Sequence, residues 1–386
     1  MPWHGVSPMD LRRLFVRAHA LGGGSMTELC EHFGISRKTG YKWVERVEHG
    51  GLVALADQSR RPHHSPRATD PVVVEALCAA RRRHPTWGAR KLLVHLRRRH
   101  PRGPWPAPST AAGLLQARGL VRTPRRRRRA HAPTVVLAPA TGPNDVWTTD
   151  FKGEFRLGDR AYCYPLTLRD LHSRFVLRCD ALPEKSGRLV QPCFLRAFRE
   201  YGLPTRIRSD NGGPFAAPGL TRLSHLSVWW LRLGIRPERI TPGHPEQNGA
   251  HEQFHRVLKA TTARPPAAHR AAQQRRFRRF RGEYNTERPH EALQDQTPAS
   301  VYRPSPRPFP ERLPPVEYPG HWEVRRVART GQVSWDGAPL FLTEVLGGEH
   351  VAFEEVDDGL WMLHFATIRL ARFEARTRTL TPVPYA

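Results

Sequence analysis

Three acidic side chains stand in settings that little else in this chain offers. Asp150 closes the run Val146-Trp147-Thr148-Thr149, Asp210 closes Arg206-Ile207-Arg208-Ser209, and Glu252 opens a helical stretch. Trp147 to Asp150 reads as a strand end. So does Ile207 to Asp210, a short β-branched run stopped by Asn211-Gly212-Gly213-Pro214. From Glu252, residues His255, Arg256 and Lys259 recur at +3, +4 and +7, which on a 3.6-residue period gives all four one helix face. That face carries one acid for metal and basic groups for phosphates. Hard cations such as Mg2+ take oxygen ligands and keep positions open for substrate phosphate. Two of them about 3.5–4 Å apart stabilise both the attacking and the leaving oxygen of an in-line phosphoryl displacement. The chain is therefore expected to fold so that Asp150, Asp210 and Glu252 converge as catalytic ligands of two Mg2+ ions, with Mn2+ as a substitute.

Two further acids compete for this role. Glu246 leaves 35 residues after Asp210, whereas Glu252 leaves 41. Glu246 sits in a Pro- and Gly-bounded loop, which holds a carboxylate less rigidly than a helix does, so Glu252 is preferred. Asp170 falls in a turn and reads as a local turn cap.

Charge narrows the partner. Lys and Arg number 62 against 35 Asp and Glu, for a net charge of +27. From Val316 onward, ten acids face seven arginines. That segment is −3 and leaves +30 for the rest. A polyanion is expected on everything but the last part of the chain. Five cysteines without CxxC spacing read as reduced, packed thiols of a cytosolic protein. Histidines His63, His64, His84, His95 and His100 lack ligand spacing and read as solvated or phosphate-facing. No apolar run is long enough for a membrane span and no signal-peptide hydrophobic region is visible, so a cytoplasmic, nucleoid-associated protein is expected.

Residues 1–50 read as a helix-turn-helix domain. Ser25 or Thr27 caps one helix, Gly34-Ile35-Ser36 turns, and Ser36 caps the next. Leu29, Phe33, Ile35, Val44 and Val47 supply its core. Arg37, Lys38, Tyr41 and Lys42, near the start of the second helix of the motif, are the side chains to place in a major groove. Residues 51–69 form a linker with Arg60-Arg61-Pro62 and Ser65-Pro66-Arg67. A second helical module spans 70–123, with Trp87 and Leu92 as core and Ser109-Thr110 capping a last helix over 111–118. Five consecutive arginines, Arg125 to Arg129, open a basic linker at 124–143 that suits a phosphate backbone.

Residues 144–302 read as an α/β core, a mixed sheet with helices on its faces. Strands are expected over 145–155, 160–168, 173–182, 205–210 and 236–241, and helices over 186–201, 220–233, from Glu252 to Ala263, and 269–283. A Pro-rich tether (303–319) leads to short strands in 320–386 broken at Asp336-Gly337, Gly347-Gly348 and Asp358-Gly359. These suggest a small SH3-like barrel, whose acidity suits a subunit contact better than primary DNA binding.

The residues Trp147-Thr-Thr-Asp150-Phe-Lys-Gly, Ser209-Asp210-Asn-Gly, Pro245-Glu-Gln-Asn-Gly-Ala-His-Glu252 and Tyr284-Asn285-Thr-Glu-Arg288-Pro289-His290 resemble the DDE integrases and insertion-sequence transposases. These have a retroviral-integrase-type, RNase H-like core. The likeness covers roughly 144–302 closely and extends to Pro85-Thr-Trp87-Gly as a second helix-turn-helix. The 41-residue second spacer is a few residues longer than the family habit. The resemblance implies a homo-oligomeric transposase that binds double-stranded DNA at the ends of its element, cuts it and joins it to target DNA. Asp150 would touch both metal ions, and Asp210 and Glu252 one each. Lys152, His255, Arg256 and Lys259 would hold phosphates, with Lys259 on a terminal one. A non-catalytic regulator and a plain RNase H-like nuclease are the alternatives.

Overall fold

The computed structural model describes residues 7–58, 68–121, 137–217, 219–241, 247 and 249–383. Glu246, His63, His64, the arginine run Arg125 to Arg129 and the Arg-Pro motifs of the first linker lie outside them. The chain divides into two compact units, Met1–Ala68 and Thr69–Ala386.

In the first unit α1 (Pro8–Ala20), α2 (Met26–His32) and α3 (Arg37–Gly50) enclose Phe15, Val16, Leu29, Cys30, Trp43 and Leu55. The expected caps are present. Ser25 and Glu28 form a reciprocal capping box, and the Ser36 hydroxyl accepts from the Thr39 N–H. Leu29 is fully part of this core, while Phe33, Ile35, Val44 and Val47 pack at its margin. The aromatic centre, Phe15 and Trp43, was not anticipated.

The second unit begins with α4 (Pro71–Arg83), α5 (Ala89–Arg99) and α6 (Pro108–Ala117), packed around Leu77, Trp87, Leu92, Leu93 and Leu115. α6 starts at Pro108 rather than behind a Ser109-Thr110 cap, because a proline fits the first helical position.

The sheet that follows contains β1 (Val146–Phe151), β2 (Phe155–Arg156), β3 (Tyr162–Asp170), β4 (Val176–Leu182), β5 (Arg206–Ser209) and β6 (Arg236–Arg239). β4, β3 and β1 run as an antiparallel meander, and β5 and β6 continue it in parallel on the far edge of β1. The change of direction follows from the crossover helix α7 (Gly187–Tyr201) between β4 and β5. With α8 (His225–Arg232), α7 covers one face, burying Trp147, Leu166, Phe194, Phe198, Ile207 and Trp230. α9 (Gly249–Thr262) and α10 (Arg270–Thr286) cover the other over Val176, Phe254, Leu258, Phe277 and Phe280. α8 starts five residues later than its apolar pattern suggested. Arg222 holds φ 48°, and the Ser224–Ser227 capping box sets the start. Asp170 is a turn cap as expected: its buried carboxylate accepts from the N–H groups of Asn144 and Ser173, both at 2.7 Å.

After α11 (Pro298–Val301), the C-terminal region corrects the barrel expectation. β7 (Glu323–Arg326), β10 (His350–Asp357), β11 (Leu360–Phe365), β12 (Ile368–Glu374) and β13 (Thr379–Pro382) form an open antiparallel sheet in the order β13-β12-β11-β10-β7. β8 (Gln332–Trp335) and β9 (Ala338–Phe341) form a separate hairpin. Trp335 and Leu340 of that hairpin share a core with Phe353, Leu363, Phe365 and Phe373 of the sheet, and with Leu223, Val228 and Leu231 around α8. Among the described residues no helix is long and apolar enough to cross a membrane.

The connector behind α11 runs against the end of α7. Gly202 sits at φ 77° and ψ −173°, and a Cβ there would lie 2.7 Å from the Arg307 carbonyl oxygen and 2.8 Å from that of Ser305. Gly51 has nearly the same dihedral angles and nothing within 4 Å. Both substitutions to alanine should incur the backbone penalty of this glycine-only region, about 1–3 kcal/mol. Gly202→Ala should cost more, because the connector must also move. Urea denaturation of the two variants checks this, and equal losses would contradict it.

Candidate catalytic and nucleic-acid-binding site

β1 and β5 pair in parallel with Trp147 opposite Ile207 and Thr148 opposite Arg208. Two residues further on, Asp150, next to last in β1, and Asp210, just beyond β5, come close enough for the charge of one to act on the other. Side chains alternate along a strand, so Trp147 and Ile207 enter the core under α7, while Thr148, Asp150 and Asp210 face α9. Burial pushes the pKa of Asp150 up, and the Asp210 charge adds to this, to about 7. The Phe151 N–H, Lys152 and Lys185 act against the shift. Burial also raises Asp210, opposed by the Gly212 N–H at 3.2 Å and by Lys185. Two adjacent carboxylates that resist ionising together are a natural place for divalent cations, which relieve the repulsion they share.

The third acid is carried by α9. The helix is fixed to the sheet by two buried histidines. His251 meets Thr148 Oγ1 through Nδ1 at 2.9 Å and Thr167 Oγ1 through Nε2 at 2.6 Å. His255 reaches the same hydroxyl through Nε2 at 2.8 Å and places Nδ1 3.6 Å from Asp150 Oδ2. Thr167 stands opposite Asp150 in the β1–β3 ladder and donates to the Asp150 carbonyl oxygen. Burial drives the pKa of His255 down to about 3 and that of His251 well below the ordinary value, so both rings are neutral at pH 7.

This geometry corrects the single face drawn through Glu252, His255, Arg256 and Lys259. The inward face of α9 is His251, Phe254, His255 and Leu258, and Glu252, Arg256 and Lys259 are exposed. His255 is a neighbour of Asp150 rather than a surface phosphate ligand. Glu252 stands in the first turn of α9, one residue from His251. Asp150 and Asp210 are brought together. Among the described residues, the three carboxylates do not close to within 4.8 Å of one another as a ligand trio.

The basic residues divide by position. Lys152 is close enough to bear on both Asp150 and His255. Lys185, overlooked in the sequence, bears on both aspartates and lies 3.7 Å from Glu154. Arg256 and Lys259 line a groove of about 1080 Å³ whose other wall includes Arg81, Arg82, Arg83, Trp87 and Arg288. One groove is thus shared by the second helical module and the core. In the first unit, Arg37, Lys38, Tyr41 and Lys42 are all exposed on α3, and the Lys42 ammonium lies 4.6 Å from the Trp43 ring.

Sequence reasoning missed His251, Thr148, Thr167 and Lys185. Only His251 left a usable signal: with Phe254, His255 and Leu258 it completes an i, i+3, i+4, i+7 stripe. Reading His255 as polar surface displaced the face by one residue.

Residues 140–245 and 233–298 each match an integrase core domain, residues 11–63 match a helix-turn-helix domain, and residues 39–115 match a homeodomain-like domain. An uncharacterised 31.7 kDa protein of insertion element IS407 from Burkholderia multivorans is 29% identical over 196 residues, 48% of this chain and 65% of that protein. The Gag-Pol polyprotein of avian reticuloendotheliosis virus is 32% identical over 124 residues, 32% of this chain and 10% of the polyprotein. The chain thus spans less than two thirds of either relative. A simian T-cell lymphotropic virus intasome structure aligns over 68% of this chain and 90% of its own, with 18% identity and a TM-score of 0.37. The HTLV-2 integrase catalytic core in complex with magnesium aligns over 42% of this chain and 99% of its own, with 15% identity and a TM-score of 0.32. Residues 140–298 thus match integrase core domain models, and residues 11–115 ahead of them match helix-turn-helix and homeodomain-like models.

Proposed function

We propose that this chain binds the ends of a mobile element and catalyses divalent-metal-dependent cleavage and joining of DNA. The observation that carries the reading is the pair Asp150 and Asp210 at neighbouring strand ends, beneath a helix whose first turn bears Glu252. Glu252 is exposed, and on this reading its carboxylate turns toward the pair when the ions bind. Asp150 would serve two ions, and Asp210 and Glu252 one each. When bound, Mg2+ or Mn2+ would lower the pKa of the attacking hydroxyl and neutralise charge on the phosphorus.

The protein's own residues supply position. The neutral imidazole of His255, held by Thr167, packs beside Asp150 and keeps water from that side of the carboxylate. Lys152 and Lys185 offset negative charge at the strand ends. Arg256 and Lys259 hold phosphates in the groove, Lys259 the terminal one. α3 reads bases through Arg37, Lys38, Tyr41 and Lys42. In the proposed reaction water first opens the phosphodiester at the element end, and the freed 3′-hydroxyl then attacks target DNA, so no covalent enzyme intermediate is needed. Two ends must be held together, which calls for a homo-oligomer on DNA.

Asp150→Asn should abolish strand transfer on labelled element ends while leaving end binding intact, and retained joining removes Asp150 from the site. Glu252→Gln should do the same and Glu246→Gln should not. The reverse outcome makes Glu246 the third ligand.

Lys259→Ala and Arg256→Ala should each weaken end binding about equally for all sequences. Each should also reduce the slope of log affinity against log salt by about 1, as expected for a lost phosphate contact. An unchanged slope in gel-shift titrations would place these side chains away from DNA.

The raised Asp150 pKa has a definite sign for stability. The unfolded chain releases this proton near pH 3.9, whereas the metal-free fold holds it to about 7. Between those values only the unfolded state gains by ionising, so stability falls as pH rises, and the penalty is complete above pH 7. Asp150→Asn should therefore raise the melting temperature in EDTA more at pH 8 than at pH 5. Equal gains at the two pH values would show that Asp150 ionises normally.

A further inference from the structure

His84 ends α4, His95 lies within α5, and Glu287 follows the last turn of α10. One ligating atom of each lies within 4.8 Å of the other two. Both histidines are buried, at 4% and 7% exposure, against the expectation that they would be solvated or phosphate-facing. His100, the third of that group, is exposed.

The trio has unused valence. His84 Nε2 and Glu287 Oε2 are buried, neither has a hydrogen-bond partner, and they stand 3.8 Å apart. That is too far for a hydrogen bond. It is close to the spacing of two ligands around one small cation. Atoms about 2.0–2.2 Å from a tetrahedral zinc are roughly 3.3–3.6 Å from each other. The rings are also held in place. His84 stacks on Trp87 with centroids 3.9 Å apart, and His95 meets both rings edge-on at 5.2 and 5.4 Å. Closing the trio onto an ion requires the side chains to draw together, and Glu287, whose side chain is 24% exposed, has the most room to move.

We propose that His84, His95 and Glu287 form a zinc site that fastens the second helical module to the catalytic core. Two imidazoles and one carboxylate leave the fourth position to water, a ligand set that zinc accepts. Burial keeps the imidazoles neutral, the form in which they bind a metal. Arg99, whose Nη2 is 3.9 Å from Glu287 Oε2, is half exposed and turns into solvent when the carboxylate takes an ion. The site is separate from the three acids of the proposed catalytic centre and does not depend on them. It lies in the wall of the groove that Arg256 and Lys259 line, because His84 and Trp87 line that groove too. An ion there would fix the angle at which module and core meet one DNA.

The test uses the full-length, tag-free chain carrying Asp150→Asn and Asp210→Asn, so that the acid pair does not hold transition metal. Loaded with Zn2+ and gel-filtered, it should retain about one equivalent by elemental analysis, as one closed site requires. His84→Gln, His95→Gln and Glu287→Gln added singly should each drop the content to near zero, and His100→Gln should leave it unchanged. Retention of no zinc by the parent chain overturns the proposal whatever the variants do. So does zinc that persists through all three ligand substitutions. Should the histidine variants misfold, the Co2+-loaded parent decides. Intense visible absorption from four- or five-fold coordination is expected, and only the weak bands of a six-coordinate, oxygen-bound ion would refute the site.

Discussion

The parallel pairing of β1 with β5 is the constraint on which the site depends. It sets two carboxylates beside each other in a partly dry place, an arrangement that opposes folding until a cation or a proton arrives. The surroundings limit the cost without removing it. The Gly212 N–H, Lys152 and Lys185 are arranged around the pair, but Asp150 still holds a proton to about pH 7. What keeps the strands together is beneath them. Trp147, Ile207, Phe198 and Trp230 are almost wholly buried on the opposite face, and burying side chains of this size stabilises by about 1.5–3 kcal/mol each. The apolar face supports the strain of the polar one.

The same alternation explains α9. Thr148 and Asp150 on β1 and Thr167 on β3 point to one side, and a helix laid across them must meet hydroxyls and a carboxylate, not methyl groups. Histidine suits such a position, since it packs as a flat ring with a polar atom on either side. His251 meets a hydroxyl at each nitrogen, and His255 meets the Thr167 hydroxyl at one and faces Asp150 with the other. Their register along the helix leaves Glu252 one residue round from the buried stripe, on the edge between sheet and solvent.

How much of this was legible depends on how local each signal was. The strand segments next to Asp150 and Asp210, the caps at Ser25 and Ser36 and the turn-capping Asp170 are written in a few consecutive residues; β1 runs one residue past Asp150, β5 stops one short of Asp210, and the strand expected over 145–155 is broken between β1 and β2. The α9 face was displaced because His255 looks polar in a one-dimensional reading, whereas its burial is decided by Thr167 and Asp150, far away along the chain. The C-terminal barrel failed for a related reason. Alternating residues specify a strand, but closure depends on stagger between distant strands. β12 and β13 extend the edge of an open sheet instead. Lys185 and the His84–His95–Glu287 trio had no local mark at all, since each is assembled from separate elements.

The acidic C-terminal segment shows that charge and packing can assign a region differently. Its net −3 on a chain of +27 suits a subunit contact better than primary DNA binding. In the fold its core is continuous with the chain's own α8. Leu223, Val228 and Leu231 pack among the β residues, and Arg232 meets Glu349 at 2.6 Å. α8 therefore serves two cores. Trp230 faces the central sheet and Val228 the C-terminal one, so the acidic β module is packed on the same helix that covers the sheet bearing β5, the strand that leads into Asp210.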